Sequence, residues 1–218
     1  MPLIFDNLTA SVIAATVVLI LSSIQMRATQ QRVAQTSQRI VQQRSRVATE
    51  WLEEDLERIG QNMTSGQDAL EEPEPYHDDP ENDSEEWLTE KFVFRRDSVA
   101  TGEGIWRIEI RYQVKSQGTM SVEGEETPIY RLVRKRRQKE LDGGSWSESD
   151  WVQNGRIESL EYFDVDLLDR NAQATTTLSQ VQSVRIRFSV VAPFQNEEMA
   201  FPASRTNVVV ARYPLADS

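Results

Sequence analysis

The chain has 218 residues, enough for one ordinary domain with an extension. It has no Cys, which excludes disulfides, Cys-ligated zinc, iron–sulfur clusters and thiol catalysis. The net charge of −11 argues against non-specific nucleic-acid binding, and it is unevenly placed: residues 27–46 hold Arg27, Arg32, Arg39, Arg44 and Arg46 and no acid, whereas residues 68–90 hold eleven acids and no Lys or Arg.

Residues 1–26 form the first segment. Asn7 to Met26 is free of charge, and Val12 to Leu21 is its apolar heart. About 20 apolar residues cross the hydrocarbon core of a bilayer as a helix, so this stretch is expected to be a transmembrane anchor. Its Thr and Ser hydroxyls can bond back to the helix's own carbonyls. The alternatives are a buried core helix and a cleaved secretory signal. A signal needs basic residues before the apolar run and small residues at its cleavage site; Asp6 is the only early charge and Met26-Arg27-Ala28 is a poor site. Five arginines directly behind the anchor suit the surface of a lipid bilayer.

Residues 27–63 continue as an amphipathic stalk. Val33, Ile40 and Val47 recur every seven residues, flanked by Ala34, Val41 and Ala48, and Trp51, Leu52, Leu56 and Ile59 extend the stripe. No Pro or Gly interrupts before Gly60, which with Asn62 and Ser65 reads as a stop. A helix from Leu8 to Met63 is about 84 Å long at ~1.5 Å per residue, too long for a small head to cover. Trp51 to Ile59 is therefore expected to lie on the chain's own sheet, and Val33 to Val47 to contact other subunits. The repeat lasts only three to four heptads, which leaves a dimeric coiled coil as a further possibility.

Residues 64–90 form an acidic connector. Pro73, Pro75 and Pro80 exclude a regular helix, and dense like charge predicts a solvated, mobile loop. Asp78, Asp79, Glu81, Asp83 and Glu85 are weak calcium candidates, because the loop lacks the D-x-D-x-D-G spacing of a recognised calcium site. His77, the only His, reads as a surface residue there.

From residue 91 to 218 the period changes to two. Phe92 to Phe94, Ile105 to Val114, Thr127 to Arg134, Ile157 to Val165, Val181 to Val190 and Asn207 to Tyr213 read as strands with one face buried, joined by turns rich in Gly, Ser and Asp. No helical period separates them, which predicts a mostly antiparallel sheet. The basic run Arg131 to Lys139 reads as an exposed strand face entering a hairpin, of the kind that protects an edge strand. The fold class is α+β, with a long N-terminal membrane-anchoring helix packed on an antiparallel β-rich head.

The site patterns of catalysis are missing. His77 is a poor triad member in its acidic loop, no G-x-S-x-G turn is present, and Gly102-x-Gly104 has neither a third glycine nor a following helix. The expectation is a protein that is not an enzyme, with no cofactor and no resident metal.

This order of elements resembles the type IV pilin and pseudopilin superfamily. Leu3-Ile4-Phe5-Asp6 is similar to that family's Leu-Ile-Glu start, with Asp in place of Glu and displaced by one. Within the superfamily, Arg46 to Gly60 (RVATEWLEEDLERIG) resembles the helix of PilW-like minor pilins and J-type minor pseudopilins of type II secretion. Tyr130 to Arg134, Gly155 to Phe163 and Val181 to Phe188 follow the same strand order. The resemblance implies a minor subunit that primes or caps a filament, with Asp6 pairing with a neighbouring subunit's N-terminal amine. It implies other pilin or pseudopilin subunits, an inner-membrane assembly platform and the lipid bilayer as partners, no nucleic acid, and a head in the periplasm or on a surface filament. The arginines behind the anchor favour the opposite, cytoplasmic placement of that side. The alternative function is a non-polymerising single-pass protein whose head binds a partner or senses envelope conditions.

Overall fold

The computed structural model describes residues 2–63, 69–76, 88–100, 104–122, 125–141, 147, 150–192 and 204–212; within them, the side chains of 2–8, 99, 100, 121, 122, 125, 204–206, 211 and 212 lie outside the description. One helix, α1 (Pro2–Leu56), precedes seven strands: β1 (Glu74–Pro75), β2 (Thr89–Ala100), β3 (Gly104–Val122), β4 (Glu125–Glu140), β5 (Val152–Leu168), β6 (Ser183–Val191) and β7 (Ser204–Arg212). They form one sheet in chain order, each strand antiparallel to the next. The architecture is α+β, as the change of period at the head predicts.

α1 has 55 residues, about 82 Å at ~1.5 Å per residue. Hydroxyl groups stay bonded to its own carbonyls: Thr16 Oγ1 donates to Val12 O and Ser23 Oγ to Ile20 O, each at 2.8 Å. The helix stops before Gly60. Turns run through Asn62, and Gly60 and Asn62 adopt left-handed φ of 68° and 59°. The Gly60 N–H then donates to Arg95 O and the Asp97 N–H to Gln61 O, so the exit from the helix is stitched to β2.

The sheet is curled. β2 and β5 are separated by two strands in the sheet order, yet the Val165 N–H donates to Thr89 Oγ1 at 3.0 Å. The concave side holds the core: Phe92, Phe94, Tyr112, Leu132, Leu160, Phe163, Ile186 and Phe188 are buried, together with Val41, Ala48, Leu52, Leu56 and Ile59 from α1. Aromatic rings line it at centroid distances of 5.5 Å (Phe92–Phe94), 6.2 Å (Phe94–Tyr112) and 6.3 Å (Tyr112–Phe163).

Two expectations need correction. The acidic connector is not a solvated loop throughout. Ala69 and Leu70 are buried, the Glu71 N–H donates to Val93 O, and Glu74–Pro75 pairs with β2. The free edge of β2 supplies backbone groups that need partners, and Arg95 and Lys91 there pair with Glu71 and Glu74. The basic run Arg131 to Lys139 is not an edge. It lies in β4, with β3 along one side throughout and β5 along the other as far as Arg136. Its charge is tolerated in mid-sheet because carboxylates meet it: Asp55 binds Arg134, and the fully buried Glu109 binds Arg137 and Arg95.

Candidate assembly face and its clamp to the head

α1 changes character along its length. Between Val12 and Met26 nine large apolar side chains are exposed, with Leu19 at 71% and Val18 at 61%. At roughly 1.5–3 kcal/mol per large apolar side chain removed from water, their burial is worth as much as the whole net stability of a domain, about 5–15 kcal/mol. The side chains point all round the helix, the pattern of a rod inside an apolar medium. α1 is long and apolar enough to cross a membrane, and none of its most apolar window is buried against the rest of the chain. Arg27, Arg32 and Arg39 follow, all exposed.

From Ser37 upward the helix docks. Ser37, Val41, Ser45, Ala48, Leu52, Asp55 and Leu56 are buried, at three- and four-residue steps. Small residues allow close approach to β7, where Asn207 Nδ2 donates to Ser45 Oγ at 2.6 Å. Intramolecular packing thus begins about four turns lower than the Trp51 start read from the sequence. Val33, Ile40 and Val47 sit beside this buried face, each half-buried. Ile40 and Val47 line a groove of about 300 Å³ with Gln43, Arg44, Arg156, Ile157 and Glu158. The structure therefore keeps the seven-residue line partly open to solvent, next to a groove formed with β5.

The groove wall is braced. Arg44 donates to Ser159 Oγ at 3.0 Å, and the Ser159 N–H donates to Gln117 Oε1 at 3.1 Å. Ser159 has φ of 61°, a left-handed conformation that disfavours side chains, at a break in the register of β5 with β4. The bulge turns Glu158 toward the groove while Leu160 stays in the core.

Above the groove one cross-strand row, Phe92–Tyr112–Arg134–Gly155, lies under the end of α1. Arg134 donates through Nε and Nη2 to the two Asp55 oxygens, both at 2.6 Å, and Tyr112 Oη donates to Asp55 Oδ2 at 2.6 Å. Burial first, and then the Asp55 carboxylate, hold the Tyr112 phenol well above its ordinary range. For Arg134 burial works against the charge, but the hydrogen bonds and charge of Asp55 outweigh it and raise its pKa. This clamp fixes the rotation of α1 on the sheet. At the end of the row, a Cβ on Gly155 would stand 2.7 Å from the Trp51 ring, so only glycine lets the indole approach β5 this closely. Trp51 was legible as part of the helix stripe; the need for Gly at 155 was not, because its cause is 104 residues away in the chain.

Of the other predicted site residues, position 6 lies within α1 but the Asp6 side chain is outside the described residues, as are His77, Asp78, Asp79, Glu81, Asp83 and Glu85. Among the described residues no cluster of His, Asp or Glu has the arrangement of a metal site. Comparison with known proteins finds no matching family model, no matching curated protein and no matching solved structure.

Proposed function

We propose that the chain is a structural minor subunit of a filament of the type IV pilus or type II secretion kind, anchored by α1 and assembling through it. One observation carries the reading: a single uninterrupted helix is clamped to an antiparallel head above residue 37, while its lower part presents apolar side chains on every side. In the membrane this lower part is solvated by lipid. In a filament it is solvated by the same helix of neighbouring copies. Val33, Ile40 and Val47, half-exposed beside the Arg44 groove, form the part of the assembly face above the anchor, and Asp6 meets a neighbour's terminal amine. A carboxylate in an apolar bundle is tolerable only with such a partner. The partners are other pilin or pseudopilin subunits and an assembly platform in a bacterial inner membrane, with the head on the outer side. The mechanism is assembly, and no chemical step is assigned to the protein.

The second reading, a non-polymerising single-pass protein, is favoured by the exposed Arg27, Arg32 and Arg39 directly above the anchor, which match a cytoplasmic membrane surface. Electron microscopy of the full-length chain separates the two. Asp6→Ala is expected to abolish filaments while thermal unfolding of the head is unchanged; filaments that form normally with Ala at position 6 remove the role given to Asp6. A chain that stays monomeric in lipid under every condition, with its N-terminus intact, favours the second reading.

A further inference from the structure

The concave face of the sheet continues past the end of α1, and cations gather there. In the register, Arg136 on β4 lies opposite Ile110, Gln138 opposite Ile108, and Arg96 on β2 opposite Ile108. Side chains alternate along a strand, so Arg96 and Arg136 project from the same face as Tyr112 and Arg134, in the rows just beyond the Asp55 clamp. Arg58 reaches the same corner from the turn that follows α1. Four arginines thus share a corner with two carboxylates, Glu54 and Asp55. Both carboxylates are already engaged: Glu54 with Arg58 at 3.1 Å, and Asp55 with Arg134 and Tyr112. The end of the helix offers little more, because Glu53 O, Asp55 O and Leu56 O accept from the N–H groups of Glu57, Arg58 and Ile59.

What remains is unsatisfied. Among the described residues, the buried Nε atoms of Arg96 and Arg136 meet no hydrogen-bond acceptor, and the Arg136 guanidinium meets only the neutral amide of Gln138, at 3.0 Å. A buried donor without an acceptor costs roughly 1–3 kcal/mol, and more when it is charged. Burial, followed by the charge of Arg58, lowers the pKa of Arg96 despite the nearby Asp55 and Glu54.

We infer that this corner is an oxyanion-binding site, in which the guanidinium groups of Arg96 and Arg136 take a phosphate or carboxylate between them. Only an anion with several acceptor oxygens satisfies two planar forks at once, which is the recognition that arginine performs better than lysine. The shared chemistry has two possible sources: a free inorganic oxyanion, or a side-chain carboxylate from a second copy of this chain, which carries 35 acidic residues. The site stands apart from the filament reading, since it needs neither α1 below residue 37 nor Asp6.

The test uses the full-length chain in detergent micelles, with inorganic phosphate as the probe and chloride at matched ionic strength as the control. Phosphate at about a hundredfold excess over its Kd is expected to raise the Tm of the head by roughly 5 °C or more. Arg96→Gln and, separately, Arg136→Gln are expected to lose that shift. In chloride each variant is expected to unfold at the wild-type temperature or above it, because one member of a repelling group has been removed. Sedimentation then separates the sources. Self-association that phosphate competes away and that Arg96→Gln weakens identifies the carboxylate of a second copy. A phosphate-dependent Tm with unchanged sedimentation identifies a free anion. The inference is overturned if phosphate acts no differently from chloride and neither variant alters association, or if Arg96→Gln lowers the Tm in chloride, which marks Arg96 as a structural ion-pair partner. Loss of filaments in Asp6→Ala leaves the phosphate result untouched, so the two readings fail separately.

Discussion

The lower and upper parts of α1 are one helix built for two surroundings. Residues 12–26 are apolar on every side and exposed; residues 37–56 bury a single stripe and turn Gln, Arg and Glu to water. The difference lies in what each part has to touch. A rod surrounded by lipid or by identical rods has no preferred rotation, whereas a helix on a sheet must hold one face down. The clamp at Asp55 sits in the upper part because rotation matters only there.

The largest test of that contrast is Asp55→Ala. It leaves Arg134 and the Tyr112 hydroxyl without their shared carboxylate, and the head is expected to lose about 3–5 kcal/mol in chemical denaturation. Membrane insertion of the chain is expected to be unchanged. If both losses appear together, the two parts of α1 are not independent. The converse substitution is Leu19→Arg, which places a charge in the apolar part at a cost of about 2.5–3.5 kcal/mol for insertion. A translocation assay is expected to show impaired anchoring, while the denaturation midpoint of the head moves by no more than about 0.5 kcal/mol. Gly155→Ala drives a methyl group into the Trp51 ring and is expected to cost about 1–3 kcal/mol. The same change in a Trp51→Leu background is expected to cost much less, and a double-mutant cycle with no coupling would break the assigned contact.

The smallest effect is electrostatic and lies outside the clamp. Asp164 is paired with Arg187 on the neighbouring strand, yet burial, assisted by Asp166, keeps its pKa above the ordinary value of 3.8. A raised carboxylate pKa means that the folded state binds the proton more tightly than the unfolded chain does. As pH falls from neutral through the raised value toward 3.8, Asp164 therefore contributes a gain in stability, complete once both states are protonated. In Asp164→Asn that gain is expected to disappear from the pH profile of Tm; an unchanged profile assigns the pH dependence to other groups.

Much of this contrast was legible beforehand. The charge-free run to Met26, the helical stripe after it and the change of period near residue 91 are local patterns; the first two became the single helix α1 and the third the start of the sheet's longer strands. Less legible was how far down the stripe the head is packed. Val41 and Ser45 look no more core-like than Val33 or Ile40, and only the path of β7 decides that the former pair is buried. Ala69-Leu70 and Glu74–Pro75 were lost among acids, because their order comes from the unpaired edge of β2 and not from their own composition. The role of Arg134 was hidden within a basic run whose members alternate between the two faces of a central strand.

The sequence by itself determined the long helix, its apolar lower part and a mostly antiparallel head, because hydrophobic periodicity reports what lies on either side of a segment. The tertiary structure alone decided the rotation of α1, the glycine beneath Trp51, the Asp55–Arg134–Tyr112 clamp and the gathering of Arg58, Arg96 and Arg136. Each of those depends on strand register and on contacts between residues far apart in the chain, and hydrogen bonds and charges act over ångströms of space that no local pattern encodes.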